Sequence, residues 1–401
     1  MDGTYCILRE TGEYPSAGPF ARPRTPGPTV LGEAGVTLAA PAVDVARLSK
    51  SELGEVARDP DVRAFAPVMP TRLIFPVAGQ AVDRSPGPST WGVRAVGADV
   101  SPRTGAGVTV AVLDTGIDAA HPAFVGVDLV QRNFAGTGDG DHQGHGTHCA
   151  GTIFGRDVDG TRIGVAPGVS TAMAGKVLRD DGAGDSTMLF HGLQWAVQEG
   201  AHVVSLSVGF DFPGMVARHV ADGWPADLAT SAALEAYRAN LRMFDALMEL
   251  VRSQAAFGHG TVVVAAAGNE SRRTVDPTYE IGVSLPAAAD GVVSVGALEQ
   301  SPEGLTVAPF SNTFPHIAAP GVDVVSARAG GGLTSLSGTS MATPHVAGVA
   351  ALWWEEVLAS PLPPTAGTVT ARLLAHARTD AIAAGVDVAD RGVGLVRAPG
   401  A

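Results

Sequence analysis

Three short segments carry residue types that together can make a nucleophile. Val110-Ala111-Val112-Leu113-Asp114-Thr115-Gly116 is an apolar run that ends in a carboxylate and a glycine turn. Asp141-His142-Gln143-Gly144-His145-Gly146-Thr147-His148-Cys149 holds an imidazole, His145, between glycines. Leu336-Ser337-Gly338-Thr339-Ser340-Met341-Ala342-Thr343-Pro344-His345 holds a hydroxyl, Ser340, two residues after a glycine. An unaided serine hydroxyl attacks poorly at neutral pH. An imidazole that removes its proton, oriented by a carboxylate, makes it competent. Alone, each segment has an ordinary reading: a strand-end aspartate in a turn, a histidine-rich loop, a helix-capping serine.

The histidines also raise the question of a metal. His142, His145 and His148 follow the spacing His-x-x-His-x-x-His, which lacks the i, i+4 pair and intervening glutamate of a zinc-protease helix. Cys149 has no second cysteine pair to complete a structural zinc site. The favoured reading is one catalytic imidazole at a helix start, with His148 and Cys149 facing the interior. Gly175-Lys176-Val177 lacks the upstream glycine and the hydroxyl residue of a phosphate-binding loop.

These side chains must be positioned by an alternating pattern that begins near Trp91. Strands are expected at 108–113, 171–178, 202–208, 261–267 and 292–297, and helices at 146–154, 186–199, 229–254 and 339–358. Continuous apolar strands alternating with helices predict a three-layer α/β domain with a mostly parallel sheet. Reactive groups then collect at the carboxyl ends of the strands. Ser340 would open its helix at the positive end of the macrodipole, with Pro344 in the first turn. The helix 229–254 carries Tyr237, Leu241, Phe244, Leu247, Met248 and Val251 at helical spacing, as a core helix does.

Residues 1–84 read as a separate, small α+β unit, with linker to about residue 90. Tyr5–Leu8, 62–65 and 71–75 are candidate strands, Ser49 and Glu52 form a capping signature, and 12–28 and 79–89 are rich in proline and glycine. The catalytic unit would be 91–401. The 401 residues include 27 basic and 40 acidic side chains, a formal charge of −13 that argues against nucleic acid or an anionic membrane as partner. No apolar run approaches the ~20 residues of a membrane span. Two cysteines make no disulfide framework. Met1-Asp2-Gly3-Thr4 lacks a secretory start, so a cytoplasmic location is expected unless a leader has been trimmed.

The order Asp, His, Ser, each at a glycine-marked junction, resembles the subtilisin-like serine proteases, the subtilases. Asp-Thr-Gly, His-Gly-Thr-His-Cys-Ala-Gly-Thr and Gly-Thr-Ser-Met-Ala-Thr-Pro-His-Val-Ala-Gly carry the likeness, and the His-Cys pair is similar to the proteinase K branch. The resemblance implies a triad of Asp114, His145 and Ser340. It implies an oxyanion hole from the Ser340 backbone N–H and Asn269, which follows the apolar run 263–267 and Gly268. It implies peptide-binding edges at Ser207, Val208, Gly209 and at Gly182, Ala183, Gly184. The specificity pocket would lie between Ser207–Gly209 and Ala266, Ala267, Gly268, with small walls, room for a large apolar side chain, and a floor near Ser284.

Residues 1–84 resemble a subtilase propeptide more distantly, through Arg47–Leu53 and Asp59–Val62. They would fold as an intramolecular inhibitor with their tail in the cleft, cut somewhere between about Phe75 and Trp91. The stretch 210–258 is longer than the family's usual link and is expected to add a loop at 210–225 before the long helix. No cofactor is required. A calcium site is doubtful because Ala123 stands where an acidic ligand is frequent, although Asp157 and Asp159 lie in the right loop. The expected activity is that of a serine endopeptidase on peptides or proteins. A silent peptide-binding protein of the same fold, or a serine esterase or amidase, is the alternative.

Overall fold

A computed structural model describes residues 3–11, 29–31, 37–76, 87–254 and 258–401. Its centre is an eight-stranded sheet. Asp128–Asn133, Thr171–Lys176, Thr109–Asp114, Val203–Leu206, Val262–Ala266 and Val292–Ser301 lie side by side in that order, each pair parallel. Gly304–Val307 and Ile317–Pro320 both pair with the last of these, the first antiparallel and the second parallel. The inner strands are apolar on both faces because both faces are covered. On one side Ile153, Phe154, Val346, Val349 and Trp354, from helices His145–Phe154 and Thr339–Leu358, pack on Val110, Val112 and Val264. On the other, Leu189, Phe190 and Leu193 of helix Ser186–Gln198 and Phe244, Leu247 and Met248 of helix Ala226–Gln254 pack on Ala111, Leu113 and Val263.

Two expectations need correction. The stretch 210–225 is not a loop: Phe212–Ala221 is a helix, capped by Asp211, which accepts from the Gly214 N–H at 3.0 Å. Pro213-Gly214 reads as a turn in sequence, but proline beside the cap is also how a helix begins. Pro344 is not in a first turn either. Its helix starts at Thr339, which puts the proline inside. The ring removes the N–H that would have bonded the Ser340 carbonyl, four residues back. That carbonyl instead accepts from the Cys149 thiol and the Ser207 hydroxyl, each at 3.4 Å.

The N-terminal unit is a four-stranded antiparallel sheet in the order Thr29–Leu31, Thr37–Leu48, Gly3–Thr11, Val62–Pro67. Helix Lys50–Val56 follows Thr37–Leu48 and begins with the expected capping box at Ser49 and Glu52. The sheet does not stand alone. Cys6, Leu8, Val43, Ala66 and Met69 belong to the same buried cluster as the helices 186–198 and 226–254. Polar contacts reinforce this: Asn240 donates to the Pro67 carbonyl at 3.0 Å, Gln194 accepts from the Val43 N–H at 3.1 Å, and His191 donates to the Val43 carbonyl at 3.1 Å. The proline- and glycine-rich stretch 12–28 and most of the linker 79–89 lie outside the described residues.

Candidate active site

Asp114 ends its strand at the sheet's carboxyl edge, and His145 is the first residue of its helix. His145 Nδ1 donates to Asp114 Oδ1 at 2.8 Å, with both side chains 1% exposed. The close approach depends on Gly146, where a Cβ would fall 2.2 Å from the Gly116 carbonyl oxygen. Burial alone pushes the His145 imidazole down. The Asp114 carboxylate, with Cys149 beside the ring at 3.7 Å, outweighs burial and holds it well above the ordinary 6.5. His148 has no such partner: burial and the neighbouring His145 lower it to about 3, so it stays neutral and donates to the Val324 carbonyl at 3.0 Å. Burial raises the Cys149 thiol, which is inert packing under the imidazole rather than a nucleophile.

Sequence reasoning missed the clamp that joins the first two segments. Asp141 is buried, and its Oδ1 accepts from the Thr115 hydroxyl and the Gly144 N–H, both at 2.8 Å. Its Oδ2 accepts from the Thr147 N–H at 2.8 Å and the Thr147 hydroxyl at 2.7 Å. One carboxylate thus ties the turn after Asp114 to the helix that starts at His145. Asp141→Ala strands four donors and is expected to lower stability by about 3 kcal/mol. Urea unfolding checks this: a midpoint equal to that of the parent refutes the clamp.

Ser340 lies in the first turn of Thr339–Leu358, where backbone N–H groups lack helical partners. It is fully buried, and its hydroxyl donates to the Ile74 carbonyl at 3.1 Å. His145 Nε2 makes no hydrogen bond, so the hydroxyl is not bonded to the imidazole in this arrangement. Both groups touch Cys149, through His145 Nδ1 and the Ser340 carbonyl.

Asn269 follows the strand Val262–Ala266 and Gly268, whose φ of +112° and lack of a Cβ let Asn312 approach. The Asn269 Oδ1 accepts from the Thr339 N–H at 2.9 Å and the Thr339 hydroxyl at 2.8 Å. Its NH2 is thereby turned outward and donates to the Phe75 carbonyl at 3.1 Å. Buried Asn312 braces the same turn, its Oδ1 accepting from the Glu270 and Ser271 N–H groups at 3.1 Å. Nothing in the sequence pointed to Asn312, which lies more than forty residues downstream.

The two candidate peptide edges flank a strand of the chain itself. Pro70–Leu73 pairs antiparallel with Val208–Phe210 on one side and Ala183–Asp185 on the other. The Gly182 carbonyl accepts from the Leu73 N–H at 2.7 Å, and the Ser207 carbonyl faces the Ile74 N–H at 3.5 Å. The Ile74 side chain rests on Gly209, 3.4 Å from where a Cβ would stand. Ser284 donates to the Ala267 carbonyl at 3.4 Å and lies beside Gly268, while Ala266 and Ala267 are fully buried. Among the described residues the one cluster of metal-ligating types is Asp114, His145 and Cys149, and no helix is long and apolar enough to cross a membrane.

Residues 105–394 match the model of the subtilase family of peptidases. The chain is 34% identical over 254 residues to the "Intracellular serine protease" of Paenibacillus polymyxa, covering 62% of this chain and 67% of that one. It is 33% identical over 312 residues to the "Thermostable alkaline protease" of Halalkalibacterium halodurans, covering 77% and 71%. It is 37% identical over 270 residues to "Subtilisin BL" of Lederbergia lenta, covering 65% and 82%. A carboxylate, an imidazole and a serine from three separate glycine-marked junctions all fall within the matched residues, and the chain belongs to the subtilase family.

Proposed function

We propose that Asp114, His145 and Ser340 are the working triad of this serine endopeptidase. Family membership makes the chain a serine protease acting on peptides or proteins. The observation that carries the residue assignment is an extended peptide between two main-chain edges, with a carbonyl oxygen 3.1 Å from the Ser340 hydroxyl. A strand-pairing cleft binds backbone, which a small ester does not offer. Turned toward His145 Nε2, the hydroxyl gives up its proton as it attacks. Asp114 holds the imidazole tautomer and stabilises the cation that forms. The proton then goes to the leaving amine, and water releases the acyl group by the same steps in reverse.

Asn269 and the Ser340 N–H would hold the negative oxygen. The Asn269 NH2 is aimed by Thr339 before any substrate arrives, so its donation costs little reorganisation. Asn269→Ala should lower kcat by about 10²–10³, a magnitude measured on subtilisin itself rather than derived from this geometry. KM should change little, and a comparable loss in KM alone refutes the assignment. Members of the family typically need no cofactor, although calcium binding is common among them.

We further read residues 1–84 as the chain's own inhibitor, since Pro70–Leu73 occupies the cleft a substrate would use. A peptide-binding protein that never turns over would share this arrangement, and the unbonded imidazole suits it. Hydrolysis of casein by the parent and its loss in Ser340→Ala decide between them. Parallel ester and peptide assays separate an esterase.

A further inference from the structure

We propose that the chain cuts itself at the Ile74–Phe75 bond, resting on the protease reading above, and that Ile74 and Arg72 are the side chains recognised there. Two carbonyls compete for the role. Asn269 holds the Phe75 oxygen at 3.1 Å, which taken alone points to Phe75–Pro76. Ser340 holds the Ile74 oxygen at 3.1 Å, which points one bond earlier.

The register decides for Ile74. Residues 71, 72 and 73 pair with 210, 209 and 208, so continuing the ladder sets Ile74 opposite Ser207, and the Ile74 N–H faces that carbonyl. The Ile74 side chain, 4% exposed, lies against Gly209, the wall of the expected specificity pocket. Phe75 is 55% exposed, and its ring lies against Gly182 instead, 2.9 Å from where a Cβ would stand. Departure of Pro76 would also require expelling a ring nitrogen from a tertiary amide, whereas Phe75 leaves as an ordinary primary amine. The bond lies at the upstream edge of the interval expected from sequence.

Arg72 adds a second determinant. Its guanidinium lies 3.5 Å from an Asp211 oxygen and 3.6 Å from a Glu270 oxygen. Both carboxylates belong to the cleft rim, and Asp211 also caps the helix Phe212–Ala221. The side chain is 40% exposed, so the pair is a modest selector for a basic residue two positions before Ile74. A branched aliphatic residue preceded at that distance by a cation is the sequence class this cleft accepts.

In the cut, the Ser340 oxygen bonds to the Ile74 carbonyl carbon while His145 Nε2 takes the hydroxyl proton. The Asn269 amide transfers from the Phe75 oxygen to the Ile74 oxygen. The carbon–nitrogen bond to Phe75 breaks, and the proton held by His145 goes to the Phe75 nitrogen. Water then attacks the Ile74 ester and returns a proton to Ser340 through His145. One water is consumed, leaving a carboxylate on Ile74 and an amine on Phe75.

Intact-mass spectrometry of the full chain, sampled from the start of refolding, tests this. The earliest fragments should end at Ile74 and begin at Phe75, with Ser340→Ala remaining whole. A synthetic peptide Val-Met-Pro-Thr-Arg-Leu-Ile-Phe-Pro-Val-Ala-Gly-Gln, residues 68–80, should be split by the active enzyme between Ile and Phe. Replacing its Ile by Asp should slow that cleavage at least 100-fold, and replacing its Arg by Glu about 5-fold, the order of an exposed ion pair. A first cut at Phe75–Pro76 or any other bond, with Ser340→Ala whole, overturns the register and leaves the protease reading standing. Casein hydrolysis by a chain that never splits does the same. Loss of both activities in the parent overturns both readings, and splitting of Ser340→Ala shows that another protease makes the cut.

Discussion

Ser340→Ala is expected to lower kcat on a peptide substrate by about 10⁶-fold, the size of the corresponding loss measured in subtilisin. That is about 8 kcal/mol of transition-state stabilisation. The fold should be almost untouched, because the hydroxyl makes one hydrogen bond, to the Ile74 carbonyl, and the helix is held by the apolar contacts of Val346, Val349 and Trp354. What is lost is the atom that forms the covalent intermediate, so acyl-enzyme burst kinetics should vanish together with turnover. A residual rate above water is expected from Asn269 and the binding edges alone. Turnover within tenfold of the parent, in protein free of contaminating protease, ends the case for Ser340 as nucleophile.

Asp114→Asn should produce the second largest effect, about 10⁴-fold in kcat or about 5.5 kcal/mol. The carboxylate at 2.8 Å does two things that the amide cannot. Having only acceptor atoms, it keeps the imidazole proton on Nδ1, which leaves Nε2 free to act as base, and it balances the positive charge of the imidazolium. The pH profile distinguishes this from simple damage. Only neutral His145 can accept the serine proton, so activity falls as pH drops through its pKa. In the parent that pKa lies above 6.5, because the carboxylate outweighs burial. With asparagine, burial loses its main opponent and only Cys149 still works against it, so the acid limb of kcat/KM should move to lower pH even as the rate collapses. An acid limb that stays in place refutes this account.

Much of this arrangement is legible in the chain. The apolar runs before Asp114 and Asn269 are continuous because their strands are buried on both sides, and each ends where the polar residue begins. The helix that opens at Thr339 is announced by Gly338. Its internal geometry is not, since a proline pattern reports that a backbone bond is missing without saying which neighbours will replace it. Cys149 and Ser207 supply those bonds from 191 and 133 residues away. Asp141 and Asn312 went unread for the same reason: their partners are backbone N–H groups and side chains of other segments, a pairing that leaves no mark on composition or periodicity. The strand Thr37–Leu48 was missed because Ala39-Ala40-Pro41-Ala42 interrupts any alternation, yet Pro41 is accommodated opposite Glu10.

The N-terminal sheet and the helices 186–198 and 226–254 share one apolar interior, and that separates two events usually spoken of as one. Hydrolysis of a single bond near residue 75 removes the tether but disturbs none of Cys6, Leu8, Val43, Ala66 or Met69 in their seats. Scission and awakening are therefore distinct thresholds. The second is governed by how fast a small folded body desorbs or is itself digested, and the first liberated molecules would hasten the release of all the others.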